Sequence, residues 1–181
     1  MNTLPKTVYL DHAAATPIDT AVLKTMHDCY TTVFGNPSAM YHAGREAHQV
    51  LQAARESVAT ALEVTAKEVI FTGSGTESVN LAVLGAAHAQ QNKGKHIVVS
   101  AIEHKAVLAA ATQLEVEGFT VTYVPVTPNG IVAVADVLDA IREDTVLVSI
   151  MYANNEIGTV QPIARIAQGI HKRAGTKPLF H

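Results

Sequence analysis

Residues Thr72-Gly73-Ser74-Gly75-Thr76 set two glycines and three hydroxyls between an apolar run, Val69-Ile70-Phe71, and a segment where Leu81, Val83 and Leu84 resume helical spacing. A helix N-terminus leaves backbone N–H groups unpaired and carries positive partial charge. Glycine lets the backbone approach an anion closely, and Ser or Thr adds hydroxyl donors. The stretch Gly73-Ser74-Gly75-Thr76 is therefore a candidate phosphate cradle. A plain strand-to-helix turn capped by Ser74 or Thr76 accounts for the same residues. Two known phosphate patterns are excluded. No lysine follows Gly75, and Ser78 stands where the third glycine of a dinucleotide fingerprint would be.

Two further stretches carry possible chemistry. His104, in Glu103-His104-Lys105, closes one apolar run and opens a helix. It reads either as a solvated loop histidine or as an imidazole able to stack on a flat ligand and move protons near neutral pH. Asn154-Asn155 follows a second buried run. An asparagine there either shapes a turn or hydrogen-bonds a ligand oxygen. Glu156 reads as support for that loop. Cys29, the single cysteine, excludes an internal disulfide and reads as a small helix residue beside Val22, Met26 and Val33. His27, His48, His88 and His96 lack metal-ligand spacing, and Asp11-His12 reads as a polar pair in a turn.

The elements that must position these residues alternate between strand and helix. Thr16, Pro17 and Asp19 predict a helix over 16–33, with Thr16 as N-cap and Pro17 at the first helical position. A Gly-, Pro-, Asn- and Ser-rich loop spans 34–44, and helical spacing of Ala47, Val50, Leu51, Ala54, Val58 and Leu62 follows. Thr65 and Glu68 have capping-box spacing before a strand expected at 69–71. Helices are expected to about 91, over 105–117, 134–142 and 162–174. Strands are expected over 96–102, 119–126, 145–153 and from 178. This alternation, with continuous apolar strands, predicts an α/β fold with a mainly parallel sheet and flanking helices. In such sheets ligands bind beyond the C-terminal strand ends, where all three candidate stretches fall.

The totals narrow the class. The chain has 181 residues, 48% hydrophobic and 16% charged, with a mean hydropathy of +0.18. That suffices for a buried core. A net charge of -3 and a pI near 6.3 give no basic patch for nucleic acid. No apolar run reaches the roughly 18 residues of a membrane span, and the N-terminus has no apolar signal-peptide region. A soluble cytoplasmic protein is expected. The last residues, Leu179-Phe180-His181, look like the middle of a strand, so a fragment is expected.

Six stretches together resemble one family: VYLDHAAATP, FGNPSAMYHAGREA, FTGSGTES, IEHKAVL, EGFTVTYVPV and MYANNEIGTVQPI. In order and spacing they are similar to the cysteine desulfurases, pyridoxal-phosphate enzymes of the class V aminotransferase group with the type I aminotransferase fold. The resemblance covers essentially the whole chain. It implies that residues 1–16 belong to a small domain. It also implies that 17–181 form an incomplete large cofactor-binding domain. By the same resemblance, Gly75 and Thr76 hold the cofactor phosphate, His104 stacks on the pyridine ring and is a proton-transfer candidate, and Asn155 contacts cofactor or substrate beside the ring.

The implied reaction takes L-cysteine to L-alanine, leaving enzyme-bound persulfide sulfur. A sulfur-acceptor or iron–sulfur scaffold protein and a second copy of the chain are the implied partners, with no metal, nucleic acid or membrane. His12 stands where Asn or Tyr is common in the family, and Tyr152 where His is common. The family continues past the equivalent of His181 with an aspartate for the ring nitrogen, a Schiff-base lysine, a persulfide-forming cysteine and a carboxylate-binding arginine. Lys105 follows His104 but lies in the stacking-histidine segment, so it is not that lysine. This chain alone is expected to be inactive. The alternatives are another class V enzyme, such as a selenocysteine lyase or an aminotransferase, and a non-catalytic binding module.

Overall fold

The computed structural model describes residues 8–175 and 177–181. The first seven residues of the segment assigned above to a small domain lie outside them. Contacts group the chain into two units, one ending at Phe71 and one running from Thr72 to His181.

The first unit holds two helices. Helix α1 (Thr20–Thr32) starts three residues later than Thr16 and Pro17 predict. Asp19 is the N-cap, and its carboxylate accepts the Ala21 N–H at 2.8 Å. A carboxylate is a stronger cap than a threonine hydroxyl and also suits the helix dipole, so the start moves to Asp19. Helix α2 (His42–Leu62) buries Gly44, Ala47 and Ala59 and ends where Glu63 turns left-handed at φ 56°. Thr65 and Glu68 form the expected capping box, around the 3-10 turn Ala66–Glu68. The strand expected at 69–71 is absent. Val69 is buried, but Ile70 and Phe71 are exposed, and these extended residues pair with no strand among the described residues. The Val69 carbonyl instead accepts from the Arg55 guanidinium, which also lies 5.0 Å from the Phe71 ring centroid.

The second unit is a three-layer sandwich. Helix α3 (Gly75–Gln90) leads to strand β1 (His96–Ser100), then α4 (Lys105–Val116), β2 (Thr120–Val124), α5 (Val134–Asp139), β3 (Thr145–Ser149), α6 (Ile163–Lys172) and β4 (Leu179–Phe180). All pairings are parallel, in the order β2-β1-β3-β4. Gly118, at φ +86°, supplies the left-handed residue that ends α4 and turns the chain into β2.

Side-chain alternation sorts the core onto two faces. Ile97, Val99 and Leu147 face α3 and α4, packing with Val83, Val107, Ala110 and Leu114. Val98 and Val148 face α5 and α6, packing with Val137, Ile166 and Ile170. Strands β1 and β3 are buried at every residue, the pattern of central strands covered on both faces. Strand β2 at the edge is partly exposed.

Candidate cofactor cleft at the C-terminal ends of the strands

The segments that leave the C-terminal ends of β1 and β3 meet across a cleft of about 500 Å³. Ile102, Glu103, His104, Lys105 and Leu108 line one side, and Asn154, Asn155, Glu156 and Ile157 the other. The volume is in the range of small-ligand sites.

His104 is the N-cap of α4, and its Nδ1 accepts the Ala106 N–H at 3.1 Å. That bond uses one of the four orphan donors of the first turn. It also assigns the proton of the neutral ring to Nε2, leaving the exposed ring with an Nε2–H donor. A ring that also carried a proton on Nδ1 would break the cap.

The two asparagines divide the work. Asn154 is committed to the loop. Its Nδ2 donates to the Ile102 carbonyl at 3.1 Å, and its Oδ1 accepts the N–H groups of Glu156 and Ile157 at 2.9 and 3.0 Å. Its side chain therefore shapes the turn and ties it to the segment after β1. Asn155, beside it, is exposed, lines the cleft and has no side-chain partner among the described residues. The turn reading holds for Asn154, and Asn155 keeps its amide free at the cleft. Glu156 joins the loop through its backbone.

The sequence set Glu103 beside His104 in a candidate stretch but pointed to no role for it. It is 7% exposed, and its Oε1 accepts the Ser100 hydroxyl at 2.5 Å and the Met151 N–H at 2.7 Å. Burial pushes its carboxyl above the usual range, and the two hydrogen bonds oppose that rise. Only its place in Glu103-His104-Lys105 hinted at it, because a glutamate in a strand-to-helix loop ordinarily reads as solvated.

The third candidate stretch does not line this cleft. Gly75 and Thr76 open α3, with Ser74 as N-cap accepting the Glu77 N–H at 3.1 Å. The Glu77 carboxylate accepts the Gly73 N–H at 2.7 Å. The N–H groups of Gly75 and Thr76 donate to none of the described residues. A Cβ placed on Gly75 would meet nothing within 4 Å. Two free donors, an exposed threonine hydroxyl and open space in front of the glycine suit a phosphate group. Elsewhere, Cys29 is half-buried in a shallow apolar groove along α1 with Met26 and Tyr30. No three His, Cys, Asp or Glu side chains cluster as a metal site among the described residues. No helix in them is long and apolar enough to cross a membrane.

A parallel sheet with helices on both faces and a cleft past its C-terminal strand ends defines an α/β ligand-binding fold. Residues 8–178 match the family described as aminotransferase class-V, and the chain belongs to that family. It is 44% identical over 174 residues to a protein of Bacillus subtilis named putative cysteine desulfurase IscS 1, covering 96% of this chain and 45% of the relative. It is 46% identical to the cysteine desulfurase IscS of Methanosarcina thermophila, covering 93% of this chain and 42% of the relative. A solved structure described as a NifS-like protein superposes at a TM-score of 0.92 with 39% identity, over 96% of this chain and 48% of that one. The type I aminotransferase-like fold expected from the motifs is thus the fold of the chain. The chain spans less than half the length of the curated relatives it matches.

Proposed function

We propose that this chain forms the N-terminal part of a pyridoxal-phosphate-dependent cysteine desulfurase, which converts L-cysteine to L-alanine and leaves sulfur as an enzyme-bound persulfide. The observation that carries the reading is the meeting of His104 and Asn155 across one cleft at the strand ends. Two facts support it further. The curated relatives carry the cysteine desulfurase name, and a solved structure described as SspA in complex with cysteine superposes at a TM-score of 0.90 with 38% identity, over 97% of this chain and half of that one.

Enzymes of this family are generally pyridoxal-phosphate dependent, and the residues present fit the group. Gly75 and Thr76 would hold the phosphate on their two free N–H groups and the Thr76 hydroxyl. His104 would lie against the ring, with its Nε2–H placed to hold or deliver a proton. Asn155 would offer its amide to an oxygen of cofactor or substrate. When bound, the cofactor supplies the electron sink that lets bonds at the substrate α-carbon be labilised. The chain's contribution is position, a proton at His104 Nε2, and the anion-holding end of α3.

The same reading assigns residues 1–16 to a small domain and 17–181 to the large cofactor-binding domain. It also places the protein in the cytoplasm as a homodimer, delivering sulfur to an acceptor or iron–sulfur scaffold protein. Sedimentation of the full-length protein at micromolar concentration tests the dimer, and a monomer would count against it.

Gly75→Val in the full-length protein tests the phosphate site. The space in front of Gly75 is open, so the fold should tolerate the side chain. The valine would then obstruct the anion, and pyridoxal-phosphate affinity should fall at least about tenfold, the scale of one charge-assisted hydrogen bond. Unchanged affinity in a folded variant would remove Gly75 from the site.

A further inference from the structure

We infer that Glu103 is a positioning residue, whose buried carboxylate clamps the segment after β1 to the segment after β3 and so holds His104 and Asn155 across one cleft. The two segments are about 50 residues apart in sequence and belong to different strands. Two hydrogen bonds join them at this end of the sheet. One runs from the Met151 N–H to Glu103 Oε1 at 2.7 Å, and the other from Asn154 Nδ2 to the Ile102 carbonyl at 3.1 Å. Glu103 precedes His104 directly, and Met151 lies four residues before Asn155. A shift of either end of the clamp is therefore passed on to a cleft residue.

The clamp has the features of a fixed element. Ser100, wholly buried at the end of β1, donates to the same Oε1 and sets the glutamate rotamer from below. One oxygen thus receives a donor from each of the two central strand ends. A carboxylate receiving two such donors binds each more strongly than a neutral acceptor would. Glu103 also lines the cleft, and its Oε2 has no partner among the described residues. One bond of the side chain crosses to the segment after β3, and the other fixes the rotamer that makes the crossing.

The functional half of this inference rests on the cofactor reading above, and the experiment separates the two. Full-length wild type, Glu103→Ala, Glu103→Gln and Ser100→Ala are compared by hydrogen exchange without added cofactor, then by pyridoxal-phosphate affinity and the absorbance of the bound cofactor. Glu103→Ala should raise amide exchange more than about tenfold in both segments together, 102–106 and 151–157, while the amides of β1 and β3 stay protected. Glu103→Gln keeps an acceptor at Oε1 and should restore protection to both segments. Ser100→Ala, a milder change, should loosen both by less and decides the matter if Glu103→Ala does not fold.

With the clamp lost, pyridoxal phosphate should bind at least about tenfold more weakly and with shifted absorbance, and Gln should rescue both. Protection retained in both segments, or lost only in 102–106, overturns the clamp. Loosened segments with unchanged cofactor affinity and absorbance overturn its role in placing His104 and Asn155. A wild-type protein that binds no pyridoxal phosphate sinks the cofactor reading instead, and the exchange result still judges the clamp.

Discussion

His96 and His104 stand at and just beyond opposite ends of β1, and the fold uses them in opposite ways. At the N-terminal end, His96 is 0% exposed. Its Nδ1 lies 2.7 Å from Thr145 Oγ1 on β3 and its Nε2 2.8 Å from Thr122 Oγ1 on β2, so both nitrogens are spent across the sheet. Past the C-terminal end, His104 spends one nitrogen on the helix cap and leaves the other to the cleft. The spare nitrogen is what separates the two histidines. In parallel sheets the C-terminal edge is where strand-to-helix segments splay apart and leave room. At the other edge of this sheet, Thr145 also accepts the Arg142 N–H at 2.7 Å, and Arg142 forms a two-pronged ion pair with Asp144 at 2.9 Å. That edge is stitched shut.

Three measurements would break or sharpen this contrast. His96→Ala removes two buried hydrogen bonds and leaves a cavity between three strands. It should cost about 3 kcal/mol of unfolding free energy, read by denaturant titration of the full-length protein. A loss below about 1 kcal/mol would show that His96 is not structural in the sense argued. His104→Ala should do the reverse. Stability should fall by about 1 kcal/mol for the lost cap, while turnover of cysteine by the full-length enzyme slows by about 100-fold or more. Wild-type kinetics would return His104 to an ordinary helix cap.

The smallest effect is a pH dependence. Burial, reinforced by the Arg142 charge and opposed by Asp144, holds His96 below the ordinary histidine range. A histidine kept neutral by folding contributes stability that is present above its unfolded value of about 6.5 and lost as pH falls through the lower folded value. The loss should not exceed about 1.4 kcal/mol per pH unit. Glu103, held high by burial, acts with the opposite sign: its stability is present below the ordinary glutamate range and lost as pH rises through the raised value. Comparing wild type with His96→Gln between pH 7 and 5 isolates the histidine. Parallel curves would mean that its charging is not linked to folding.

Much of the fold was legible in the sequence, because strands β1 and β3 are buried on both faces and leave continuous apolar runs in the chain. The helices of the second unit were legible for a related reason, as their apolar faces pack on that sheet. The strand expected at 69–71 failed because apolar character alone cannot supply a partner, and none lies beside it among the described residues. The start of α1 failed because Thr16, Pro17 and Asp19 all carry start signals, and only the bond from Ala21 to Asp19 ranks them.

At the site, strand-end topology found the segments of His104 and Asn155, but only geometry separated Asn155 from Asn154. One of two chemically identical side chains happens to reach the Ile102 carbonyl. Glu103 was hidden because its partners, Ser100 and the Met151 N–H, are ordinary groups whose convergence lies in three dimensions.

Strand β3 lies beside β1 although β2 comes between them in the chain. As the polypeptide emerges, β2 can pair with β1 after closing a loop of about two dozen residues, whereas β3 must close one about twice as long, at roughly 0.6 kcal/mol more in chain entropy. His104 belongs to the closer-paired βαβ unit, and the residues opposite it, Asn154 to Ile157, come only after β3. The cleft thus depends on a long-range pairing rather than on any local segment.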